Sequence, residues 1–194
     1  MSDTSVFLLI NGLAGKVAFV DELFKGLAND YFLPVITCFT LVALWFGTRD
    51  VRRREVNLGA IFTAAISIGL VNGLVGIVNC CYFRARPFTE ISPESINLLF
   101  PKPTDSSFPS NFAAVLFAIA IAILFKNRKA GIVLLSLALL GGFARVYVGI
   151  HYPLDILGGA AFGILAGFMA YGLSRLLVRA YAGLLGLMRK VYLA

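Results

Sequence analysis

The residues able to do chemistry in this 194-residue chain fall in three short segments. Its only histidine, His151, stands four residues before Asp155, with Pro153 between them. Proline suits the first position of a helix, so a helix starting there turns Asp155 back toward His151. A carboxylate bonded to one imidazole nitrogen fixes the tautomer and leaves the other nitrogen as base or nucleophile. Arg145 lies shortly upstream, and Arg84 and Arg86 occur in FRARPF (Phe83 to Phe88). A guanidinium donates two parallel hydrogen bonds and so suits phosphate oxygens. In FPSNF, Pro109 and Ser110 read as a helix start, whose free N–H groups and positive dipole end favour an anion.

Each feature has a plainer reading when taken alone. An arginine near the end of an apolar stretch anchors an interface, a lone histidine is more often structural, and Pro-Ser opens many helices. What separates this chain from those readings is convergence, which depends on the elements carrying the residues. The composition is 59% hydrophobic and 14% charged, against roughly 45–50% and 25% for soluble domains. Too few polar residues exist to cover a water-soluble core. Five apolar blocks near the ~20-residue length of a bilayer span run from about Tyr31 to Gly47, Leu58 to Val78, Pro109 to Lys126, Gly131 to Val148 and Leu154 to Leu173. Residues 5–30 alternate apolar and charged side chains at helical spacing. They are expected to form one interfacial helix, or a sixth span if they cross. No signal peptide is expected in residues 1–12. The expected fold is an all-α, polytopic membrane helix bundle forming one domain over residues 1–194. Gly159, Gly163 and Gly167 read as a close helix-packing face. Asn72 reads as helix glue and Trp45 as a span-end residue. Cys38, Cys80 and Cys81 have no metal-ligand spacing.

The charge of +7 does not point to nucleic acid, because its distribution has another cause. The turns around Arg49–Arg54 and Lys126–Lys129, with the tail carrying Arg175, Arg179, Arg189 and Lys190, hold eleven of seventeen Lys and Arg residues. These segments alternate with the others, and the positive-inside rule assigns them to the cytoplasm. Arg84, Arg86, Ser110, Arg145, His151 and Asp155 then share the opposite, non-cytoplasmic face.

With those residues on one face, the sequence resembles the membrane branch of the type 2 phosphatidic acid phosphatase family. That family carries a lysine, six residues and Arg-Pro; then Pro-Ser-Gly-His; then Ser-Arg, five residues, His, three residues and Asp. The third block is nearly intact as Ala144, Arg145, His151 and Asp155. The first keeps Arg86 and Pro87 but has Asn79 for the lysine. The second keeps Pro109 and Ser110 but reads Asn111 and Phe112, with no histidine. The resemblance implies that His151 attacks phosphorus to give a phosphohistidine and that Asp155 orients it. Arg86, Ser110 and Arg145 would hold phosphate, with Arg84 a weaker candidate. It implies no metal and no cofactor. The nucleophilic half of the family's machinery is present, and the acid half is missing at Phe112.

Three functions stay open at this level. The first is a lipid phosphatase in a bacterial inner membrane acting on a substrate with a good leaving group, such as a polyprenyl (undecaprenyl) diphosphate. The second is a silent or engineered variant of such an enzyme. The third is a lipid-binding or transport protein on the same fold.

Overall fold

A computed structural model describes residues 2–177, and every regular element among them is helical. The order is α1 (Asp3–Asn11), α2 (Ala18–Ala28), α3 (Phe32–Phe46), α4 (Val51–Cys81), α5 (Pro87–Glu90), a 3-10 turn (Pro93–Ser95), α6 (Asn111–Leu124), α7 (Arg128–Tyr147) and α8 (Pro153–Leu176). The tail cations Arg179, Arg189 and Lys190 lie outside the described residues.

The five apolar blocks each became a helix. Three of them, α4, α7 and α8, are long and apolar enough to cross a membrane. A fourth span results if α2 and α3, bent by 60° at their junction, form one broken crossing. The 14-residue α6 reaches only ~21 Å at 1.5 Å per residue, short of the ~30 Å hydrocarbon core. It runs through the centre of the bundle: ten of its fourteen residues are buried, among α4, α7 and α8. Outward-facing Phe39, Leu157 and Phe168 are exposed by more than half, as lipid-facing side chains would be.

The small-residue face of α8 packs on α6 as its spacing suggested. A Cβ at Gly159 would stand 2.4 Å from the Ser110 carbonyl oxygen, and one at Gly163 equally close to that of Ala114. This contact holds the first turn of α6 against the first turn of α8, which brings Ser110 to Asp155: the Ser110 N–H donates to the Asp155 carbonyl at 3.0 Å.

The N-terminal segment differs from the single interfacial helix expected over residues 5–30. It forms two helices, because Gly12–Val17 breaks the pattern. The first is docked by polar side chains: buried Asn11 donates to the carbonyls of Asn97 (2.9 Å) and Tyr147 (2.8 Å) and accepts from the Asn97 N–H. These partners are 86 and 136 residues away, beyond the range of any local pattern.

Candidate active site

Local folding rules place each candidate. Ser110 caps α6, its hydroxyl accepting from the Ala113 N–H at 3.5 Å. Pro153 opens α8, and Asp155 in its first turn accepts from the Tyr152 N–H at 2.8 Å. Between α7 and α8 the chain turns through Gly149 at φ +90°, a conformation favouring glycine, and delivers His151. Arg145 sits in the last turn of α7, and Arg86 precedes Pro87 at the start of α5.

A cavity of about 360 Å³ gathers Arg86, Arg145 and His151 with Asn111, Asp30 and Asp105. Arg86, Arg145 and His151 are all buried to 95% or more. Arg86 Nη1 lies 3.2 Å from His151 Nε2 and donates to the Ile150 carbonyl at 2.9 Å. A guanidinium only donates, so this contact assigns Nε2 as acceptor and the proton to Nδ1. Burial, then the charges of Arg86 and Arg145, push the His151 pKa below its ordinary value despite Asp155. The imidazole is therefore neutral near pH 7, with its lone pair on the nitrogen beside Arg86.

Behind the ring stands a relay that spacing alone did not reveal. His151 Nδ1 is 3.7 Å from Asp155 Oδ2, too far for a hydrogen bond. Ser107 lies beside the pair, 3.5 Å from Nδ1 and donating to Asp155 Oδ2 at 2.5 Å. Arg84 does not line the cavity. It donates to Asp155 Oδ1 and to Asp3 Oδ2, both at 2.6 Å, with its guanidinium 4.3 Å from the Tyr152 ring centroid. Its geometry suits holding Asp155 rather than clamping phosphate. Asp3 also accepts from the Leu154 N–H at 3.0 Å, so α1 buttresses the start of α8. Ser107 and Asp3 went unnoticed in the sequence; the only signal was a serine just upstream of FPSNF.

The arginines already hold carboxylates. Arg86 Nη2 donates to Asp105 Oδ1 at 2.9 Å, and Arg145 Nη2 pairs with Asp30. Both acids are more than half exposed, at the cavity mouth. The Arg145 guanidinium also lies 4.0 Å from the Phe112 ring centroid. Phe112 thus presents an apolar face to the cavity and supplies no proton. The N–H groups of Asn111 and Phe112 have no hydrogen-bond partner among the described residues, and both residues line the cavity. Ser110 itself does not line it; its hydroxyl serves the cap. Asn79 is an exposed residue in the last turn of α4 and lies outside the cavity wall. Two guanidinium groups, two free helix-terminal N–H groups and an unprotonated imidazole can together bind and attack a phosphoryl group. No group of three or more metal-ligating side chains occurs among the described residues.

Known proteins similar to this chain include lipid phosphatases. Undecaprenyl-diphosphatase BcrC of Bacillus subtilis is 34% identical over 173 residues, covering 89% of this chain and 84% of that protein. The crystal structure of Aquifex aeolicus LpxE superposes with a TM-score of 0.66 at 27% identity, over 86% of this chain and 93% of that one. A transmembrane PAP2-type phosphatidylglycerolphosphate phosphatase from Bacillus subtilis shares the fold, with a TM-score of 0.59 at 21% identity over 89% and 86%. The helices of this chain are accordingly those of an integral membrane protein. Residues 59–179 match the PAP2 superfamily, and the chain belongs to that family.

Proposed function

We propose that this chain is a membrane lipid phosphatase that cleaves a polyprenyl diphosphate, undecaprenyl diphosphate in the first instance, at the non-cytoplasmic face. The observation carrying the reading is a neutral His151 whose Nε2 meets Arg86 at 3.2 Å in a cavity of about 360 Å³. The relative BcrC, by name an undecaprenyl-diphosphatase, supports the substrate class. The charge asymmetry supports the orientation. Cysteines introduced at Ser92 and Asn127 in a cysteine-free background test it: an impermeant thiol reagent on intact cells should label position 92, and preferential labelling at 127 would reverse the topology.

In the first step Nε2 forms a bond to the terminal phosphorus while the P–O bond to the inner phosphate breaks. Arg86 and Arg145 leave Asp105 and Asp30 to hold the phosphoryl oxygens. Ser107 and Asp155 stabilise the Nδ1–H as positive charge grows on the ring. The lipid phosphate departs with the electron pair; its second pKa of about 6 lets it leave unprotonated near pH 7. Water then attacks phosphorus, the N–P bond breaks, and the proton leaves with inorganic phosphate. The absence of an acid at Phe112 supports a diphosphate substrate, since an alkoxide leaving group, with a pKa near water's ~15.7, needs protonation.

One observation favours a silent variant instead: both cavity arginines are neutralised by Asp30 and Asp105. Phosphate release by the purified protein in detergent, from lipid mono- and diphosphates, separates the two readings. Release from the diphosphate supports the enzyme; release from neither supports the silent form or a lipid-binding protein.

A further inference from the structure

We propose that the opposite end of the bundle holds a second anion site, a basic cavity that receives the phosphate headgroup of an anionic phospholipid. It uses none of the catalytic residues. The helix α4 ends in the loop leading to the active site and begins here; α6 begins at the active site and ends here. A cavity of about 650 Å³ is lined by Arg52, Arg53, Lys126, Arg128 and Lys129, and no carboxylate lines it.

These cations are exposed, and their placement leaves like charges together at two helix starts. Arg52 and Arg53 occupy the first turn of α4, and Arg128 and Lys129 the first turn of α7. Helix N-termini carry positive partial charge, so cations there repel both the dipole and each other. Of the two nearby acids, Glu55 lies further along α4 outside the cavity lining, and Asp50 is taken up as the N-cap of α4, where only Arg53 reaches it, at 3.8 Å. Arg52, Lys126, Arg128 and Lys129 form no ion pair among the described residues. An anion between the two helix starts removes that repulsion and gains both dipoles.

Membrane orientation alone requires basic turns, not a walled cavity. Here the wall is built: Asn57 donates to the Leu44 carbonyl at 2.8 Å and Asn127 donates to Asn57 Oδ1 at 3.2 Å, tying three segments together. The same wall includes Val56, about half exposed, and Phe46 and Val51, which flank the lining residues Gly47 and Arg52 in sequence, are exposed too. This apolar margin next to the cations suits a headgroup that enters with its acyl chains in the bilayer, rather than a free anion.

Trp45, the single tryptophan, stands two residues before the cavity-lining Gly47 and serves as a built-in reporter. The full chain would be reconstituted in phosphatidylcholine nanodiscs containing a minor fraction of brominated phosphatidylglycerol or of brominated phosphatidylcholine. The brominated phosphatidylglycerol should quench Trp45 more strongly. Arg52→Gln and Arg128→Gln should each weaken its apparent affinity by roughly fivefold, and inorganic phosphate should not reverse the quenching. Equal quenching by the two lipids in the native chain, which needs no variant, overturns the proposal. Unchanged quenching in both variants overturns it as well, and reversal by inorganic phosphate would make this a free-anion site.

Discussion

Ser107 Oγ lies 2.5 Å from Asp155 Oδ2 and 3.5 Å from His151 Nδ1, beside the pair. The hydroxyl thus braces the carboxylate that faces the His151 imidazole at 3.7 Å. Removing the hydroxyl leaves a fully buried carboxylate short of one donor. A hydrogen bond to a charged group contributes about 1.5–3 kcal/mol, so Ser107→Ala should lower kcat by roughly 10–150-fold. Ser107→Thr, which keeps the hydroxyl, should recover part of the loss, and steady-state kinetics on both variants check this.

Arg84 and Arg86 are two residues apart yet should fail differently. Arg84 pairs with Asp155 and Asp3, whereas Arg86 lines the cavity beside His151. Arg84→Gln should depress kcat and thermal stability, because it unpairs a buried carboxylate, a loss of about 3–5 kcal/mol in comparable cases. Its KM should stay near that of the parent. Arg86→Gln should raise KM as well as lower kcat. A KM increase in Arg84→Gln equal to that in Arg86→Gln would return Arg84 to the phosphate clamp.

The depressed pKa of His151 has a definite sign in the pH profile. The nucleophile works unprotonated, so kcat/KM falls as pH drops through its folded pKa. Burial first, and Arg86 and Arg145 after it, favour the neutral ring, which moves that fall below the ordinary 6.5. Asp155→Asn removes the group favouring the charged ring, so any residual activity should show its acid limb lower still. A pH–rate profile on a soluble short-chain diphosphate measures both.

The parts of the site legible in the sequence are those fixed by local geometry. His151 and Asp155 come within 3.7 Å because a helix begins at Pro153, and Ser110 caps because Pro109 precedes a long apolar run. The five apolar blocks declared their helices by composition. What stayed hidden depends on distant contacts. Asp3 reaches Arg84 across 81 residues, and Ser107 reaches Asp155 across 48. Asp30 and Asp105 look like ordinary loop acids until the fold sets them against Arg145 and Arg86. Arg84 read as a phosphate ligand because its type fits, while its direction is set by Asp155. The short length of α6 was masked by flanking apolar residues that continue past the helix.

Phe112 tests the leaving-group argument. Phe112→His should raise hydrolysis of lipid monophosphates by up to ~10²–10⁴-fold, and that of diphosphates far less. The exchange removes the aromatic face 4.0 Å from Arg145, a contact of about 0.5–2 kcal/mol, so some stability should be lost. Paired kinetics on a mono- and a diphosphate of the same lipid decide it. Equal gains on both would refute the link between the missing acid and the substrate.

The central claim is that His151 Nε2 becomes bonded to phosphorus. The direct measurement is to react the purified protein with a lipid diphosphate labelled in its terminal phosphate. The reaction is then stopped in alkali, where a phosphoramidate survives, and the labelled peptide is mapped. Label should appear on the peptide containing His151, and His151→Ala should show neither label nor turnover, since the chain has no second histidine. Sustained turnover in His151→Ala, or label on any other residue, would contradict the mechanism.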